Sequence, residues 1–114
     1  MHGFCHIEIP TTDAKKSKEF YTKMFGWKTE EAMPSYMMFN APDGPGGGFT
    51  TTIKPTKDGI ILYIEVEDIN KKFEEIEKTG GEKLVSKTKI SDEHGFYGIF
   101  ADPCGNSIGL WSKK

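Results

Sequence analysis

The sequence predicts an α+β protein made of two βαβββ modules in tandem, over residues 1–55 and 56–114. Three observations predict it. A strand-like run followed by a capped helix opens each half of the chain. The helix start and helix stop recur at a constant spacing. A proline-glycine turn flanked by short apolar runs closes each half, as expected of antiparallel strands. With 36% hydrophobic and 28% charged residues among 114, the chain can build one compact core and is not a disordered sequence.

The elements follow in order. Residues 4–9 (FCHIEI) alternate in character as a strand does. Residues 13–25 set Ser17, Phe20, Tyr21, Met24 and Phe25 at helical spacing, with Asp13 as N-cap and Gly26 as stop. Apolar runs at 35–40 and 47–53 flank the turn APDGPG. In the second half, 60–66 (IILYIEV) reads as a strand. Asp68 caps a helix carrying Ile69, Phe73 and Ile76, which Gly80 and Gly81 end. Strands at 83–88, 96–101 and 107–112 complete it, the last two joined by DPCGN. An offset of 55 carries Ile9 to Ile64, Asp13 to Asp68 and Gly26 to Gly81; later an offset of 61 carries Pro42 to Pro103, Gly44 to Gly105 and Gly48 to Gly109. Caps, helix stop and turn coincide, which chance periodicity does not readily produce.

Composition narrows the function. The 17 acidic and 15 basic residues nearly cancel, and no segment concentrates lysine, so a nucleic-acid surface has no support. All 15 basic residues are lysine, which leaves no arginine for a bidentate clamp on a carboxylate or phosphate. Two cysteines without CxxC spacing exclude a disulfide framework and a cysteine-rich zinc site. The start MHGFCHIEIP is not a secretory leader and no apolar run is long enough to span a bilayer, so the expectation is a soluble cytoplasmic protein with no membrane partner. There is no GxSxG elbow and no P-loop; the GPGGG run lacks the lysine, hydroxyl and helix of a phosphate loop.

Strand alternation assigns faces. Cys5, Ile7 and Ile9 form an apolar row suited to packing under a helix, which makes Cys5 an inert core thiol and puts Phe4, His6 and Glu8 on the other face. In the repeat, Ile60, Leu62, Ile64 and Val66 face the helix, opposite Ile61, Tyr63 and Glu65. The last strands of the halves turn Gly48, Thr50 and Thr52, and Ser107, Gly109 and Trp111, toward the same open side. Taken singly, each has an ordinary explanation: a lone histidine is more often packed or hydrogen-bonded than a ligand, and aromatic residues are more often core. Taken together, the shared face suits a small organic ligand, with His6, Glu8, Thr50, Thr52, Tyr63, Ser107 and Trp111 as its lining. His2 and His94 read as surface residues, and Cys104 as a residue of an exposed turn with no activating base.

HIEIPTTDAKKSKEFYTKMFGW, ILYIEVEDI and DPCGNSIGLW together resemble the glyoxalase/bleomycin-resistance/dioxygenase superfamily, also called vicinal oxygen chelate proteins, over essentially the whole chain. The resemblance implies curled mixed sheets that enclose a cavity with helices outside, usually in a homodimer. It also implies a divalent metal held by a histidine opening the first strand of each half and a glutamate on the last strand of each half. Here those positions are His6, Ile61, Gly48 and Gly109. One ligand of four remains, so the expectation is no metal site and no cofactor. The first functional expectation is therefore a metal-free member that binds a small organic ligand. Its rival is a divergent lyase or isomerase with His6 and Glu8 as catalytic acid and base, or with a rebuilt metal site. Glyoxalase I activity is disfavoured, since the metal set and any arginine for the glutathione carboxylates are both missing. Curved edges and a half-open apolar face also predict a homodimer.

Overall fold

A computed structural model of the chain describes residues 1–33 and 36–114. It divides into two compact units, Met1–Pro55 and Thr56–Lys114. The fold is α+β.

The first unit contains β1 (Ile7–Pro10), α1 (Ala14–Phe25), β2 (Lys28–Met33), β3 (Tyr36–Asn40) and β4 (Gly47–Thr50). Its sheet runs in the order β1-β4-β3-β2, with β1 parallel to β4 and the other pairs antiparallel. The Asp13 carboxylate accepts the Lys16 amide at 3.2 Å and starts α1. Gly26, at φ 70°, ends it in the left-handed conformation that glycine adopts without cost, its N–H donating to the Thr22 carbonyl at 3.0 Å. The helix buries Ser17, Phe20, Tyr21 and Met24. Tyr21 stacks on Trp27 at 4.8 Å, and Trp27 on Phe39 at 4.5 Å. Phe49 closes the cluster against Tyr21 and Phe39. This aromatic column is the core of the unit.

The second unit contains β5 (Tyr63–Glu65), α2 (Ile69–Lys78), β6 (Glu82–Ser91), β7 (Gly95–Ala101) and β8 (Ser107–Ser112), with sheet order β5-β8-β7-β6. Asp68 caps α2 by accepting the Lys71 amide at 3.0 Å. Ile69, Phe73 and Ile76 of the helix are buried, as are Phe100, Ile108 and Leu110 of the sheet. The DPCGN turn is built around the buried Asp102, whose carboxylate accepts the amides of Cys104 and Asn106 and the Asn106 side-chain Nδ2.

The two units are register copies. Glu8 pairs with Gly48 on the parallel strands of the first, and Tyr63 with Gly109 in the second. Met37, Met38 and Phe39 meet Phe49, Gly48 and Gly47; Gly98, Ile99 and Phe100 meet Leu110, Gly109 and Ile108. Both sets obey the offsets read from the sequence.

The structure departs from the sequence expectations at five places. The first strand begins at Ile7, not residue 4, because its ladder starts where the Ile7 amide meets the Gly46 carbonyl. Cys5 is consequently exposed rather than packed under a helix. Ile60 is exposed too: Thr56 and Leu62 supply the carbonyls for Ser107 and Gly109, and the segment between them loops away from β8. β2 escaped the sequence reading altogether, since Lys28, Glu30, Glu31 and Ala32 are exposed on an edge strand with no apolar row. Residues 51–53 form a bend beyond β4. Ser35, placed in a strand by the sequence pattern, lies outside the described residues.

Candidate functional site

In the first unit the chemistry gathers at the start of β1. Glu8 lies on that strand and His6 just before it, and both side chains reach Tyr36 at the start of β3. The Tyr36 hydroxyl donates to Glu8 Oε2 at 2.9 Å, and His6 Nε2 lies 2.8 Å from the same hydroxyl. A phenol has one hydrogen. With that hydrogen committed to Glu8, the His6 Nε2 must carry its own and donate it. The result is a three-residue chain, His6 to Tyr36 to Glu8, with the His6 and Tyr36 rings stacked at 6.4 Å.

Burial above all, and then the hydrogen bond to Glu8 and its negative charge, hold the Tyr36 phenol above the ordinary tyrosine range. The folded chain keeps this proton to higher pH than the unfolded chain does. The stability linked to it is therefore complete below the ordinary tyrosine range and is lost as pH rises through the folded value.

Tyr36 also explains Gly48. A Cβ at that position would overlap the Tyr36 ring and hydroxyl. The second unit repeats the device: a Cβ at Gly109 would overlap the Tyr63 ring. In each unit a tyrosine lies against the glycine of the last strand.

The second unit also holds an open cleft of about 400 Å³ lined by Tyr63, Ile90, Tyr97 and Trp111. The Tyr63 and Tyr97 rings meet edge to face, 6.4 Å apart at 66°. The Trp111 indole N–H donates to the His94 carbonyl at 2.7 Å, which fixes the ring and leaves its face to the cleft. Apolar walls with aromatic faces and few polar groups suit an organic ligand.

The structure brings together some of the residues named from sequence and not others. His6 and Glu8 are joined through Tyr36, and Tyr63 and Trp111 share the cleft. The Thr50 and Thr52 hydroxyls bond to each other at 2.8 Å. Ser107 is buried, and its hydroxyl donates to the Lys57 carbonyl at 2.9 Å, so it serves a loop instead of lining the cleft. His94 is exposed, in agreement with its sequence reading, though its backbone orients Trp111. Tyr36, Ile90 and Tyr97 were missed. The offset of 61 carries Tyr36 to Tyr97, and that equivalence was the signal that could have found both.

The four positions for a metal can now be tested against the geometry. Gly48 and Gly109 offer no side chain, and tyrosine rings cover both. Ile61 cannot coordinate, and His6 already shares a hydrogen bond with Tyr36. Among the described residues, no group of three or more histidine, cysteine, aspartate or glutamate side chains could hold a metal ion. The residues present do not fit the four-ligand site.

A family model described as Glyoxalase/Bleomycin resistance protein/Dioxygenase superfamily matches residues 3–110. The chain belongs to this superfamily. A glyoxylase-like domain-containing protein from Didymella fabae is 31% identical over 123 residues, covering 99% of this chain and 96% of that protein. The protein CFP32 of Mycobacterium bovis is 26% identical over 125 residues, covering 95% of this chain and 44% of that protein, so the chain spans less than half of that relative. An antibiotic binding protein from a Streptomyces species has the same fold, with a TM-score of 0.75 at 18% identity over 100% of this chain and 98% of that one. No helix among the described residues is long and apolar enough to cross a membrane.

Proposed function

We propose that this superfamily member binds a small organic ligand through the aromatic cleft of its second unit, without the family's four-residue metal site. The cleft of Tyr63, Ile90, Tyr97 and Trp111 carries this reading. The Streptomyces protein of the same fold, which binds an antibiotic, supports it as a precedent. An aromatic pair contributes about 0.5–1.5 kcal/mol beyond area burial, so stacking on Trp111 and Tyr63 supplies real affinity for a flat ligand.

Caffeine is a suitable first probe, being planar, neutral, soluble and non-fluorescent. Each unit contains one tryptophan: Trp27 is buried, whereas Trp111 is accessible in the cleft. The expected result is saturable quenching of Trp111 emission in the millimolar range or tighter, absent in a Trp111→Phe chain. Linear quenching, identical in the parent and the variant, contradicts the reading.

The hydrogen-bonded chain His6–Tyr36–Glu8 favours a second reading, a lyase or isomerase in which these groups pass a proton. Proton coupling between Tyr36 and Glu8 is its premise. Glu8→Gln removes the negative charge that helps raise the Tyr36 phenol and leaves an acceptor oxygen in place, so its titration moves down toward the ordinary range while burial still holds part of the shift. Ultraviolet titration of tyrosinate, assigned by a Tyr36→Phe control, measures this. An unmoved titration contradicts the coupling, and the second reading with it.

A further inference from the structure

We infer that the cleft of the second unit takes the cationic head of an organic molecule, a quaternary or alkylated ammonium. The inference rests on the reading of that cleft as a ligand site and names the chemistry it selects.

Three walls of the cleft are aromatic: Tyr63, Tyr97 and Trp111. Aromatic faces carry the negative lobe of the ring quadrupole and attract cations within about 6 Å of the centroid. Tyr63 and Tyr97 stand at 66° to one another, which gives the two sides of a box in place of a parallel slot for a flat ring. The Trp111 N–H is spent on the His94 carbonyl, so the indole meets a ligand through its ring. Methylated ammonium groups suit such walls because they need no hydrogen bonds and lose little hydration on entry.

Charge complements this geometry. Glu65 lies two residues beyond Tyr63 on β5 and therefore on the same face of the sheet. It pairs in register with Trp111, which pairs in turn with Tyr97, so one row across three strands reads carboxylate, indole, phenol. Glu65 is exposed and takes part in no ion pair among the described residues. The nearby lysines of β6 are turned elsewhere. Lys87 lies over the Phe96 ring at 4.7 Å, and Phe96 adjoins Tyr97 on β7 and so faces the other side of the sheet. Lys89 pairs with Asp92 at the end of the hairpin. A site with aromatic walls, an uncommitted carboxylate in the next register position and the Lys87 and Lys89 ammonium groups engaged elsewhere favours a cation over an anion.

The test compares choline with 3,3-dimethylbutan-1-ol, its uncharged isostere, in the Trp111 fluorescence titration of the full chain, with caffeine as the neutral planar reference. Choline is expected to bind about tenfold more tightly than the alcohol. Glu65→Gln, a change at an exposed position, is expected to weaken choline several-fold. Equal affinity for choline and the alcohol, or a Glu65→Gln chain that binds choline as the parent does, overturns the inference. Saturable caffeine binding with no choline binding overturns it while the ligand-cleft reading survives; binding of none of the three overturns both.

Discussion

Gly47→Ala is expected to unfold the first unit. Gly47 is buried on β4 and pairs with Ile7 of the parallel strand β1. A Cβ there would overlap the Ile7 carbonyl oxygen and approach the Ile7 amide nitrogen to 2.9 Å. These are backbone atoms, and the Ile7 amide is itself bonded to the Gly46 carbonyl, so relief requires β1 to leave the sheet. The expected loss is about 4 kcal/mol or more, comparable with the whole stability of a small unit. Gly48→Ala is the informative contrast. Its obstacle is the Tyr36 ring, a side chain that can rotate away. That variant is expected to fold and to lose the bonds from Tyr36 to His6 and Glu8. Far-ultraviolet dichroism and Trp27 emission follow the first outcome, and the Tyr36 phenol titration follows the second. A Gly47→Ala chain that melts cooperatively near the parent temperature contradicts the strand geometry.

The adjacent glycines also show why part of the molecule was legible in the sequence. Repetition carried the fold: Asp13 and Asp68 both cap helices, Gly26 ends one in the left-handed conformation, and Gly48 and Gly109 occupy matching register positions. The caps and the paired glycines recur in both halves, whereas α2 ends at Thr79 and not at Gly81, the copy of Gly26. Strand limits were less legible, because a strand ends where its partner's hydrogen bonds end. Phe4, Cys5 and Ile60 alternate as strand residues should, yet they stand outside the ladders and are exposed. β2 was invisible for the opposite reason, an edge position that tolerates a polar sequence such as KTEEAM.

The site was legible only in part. Face assignment brought out His6, Glu8, Tyr63 and Trp111, because those positions alternate along single strands. Tyr36 reaches across from β3, and Ile90 and Tyr97 reach the cleft from β6 and β7, so no single-strand pattern could group them with the others. Ser107 alternates correctly, but its hydroxyl is committed to the Lys57 carbonyl, a tertiary bond that no periodicity encodes.

We propose that covered glycines and an aromatic cleft stand in this chain where its family carries a metal site. Two ligand positions are glycines, a third is Ile61, and the fourth, His6, is held by a phenol that Glu8 also holds. A single imidazole does not retain a divalent ion against water, so exchange with buffer should strip any ion acquired during expression. The direct measurement is elemental analysis of chain purified without chelator and without a histidine tag. Zinc, nickel, iron and manganese are expected far below one per chain, with the same content after His6→Ala. One equivalent of any of these metals per chain, lost on His6→Ala, contradicts a metal-free site.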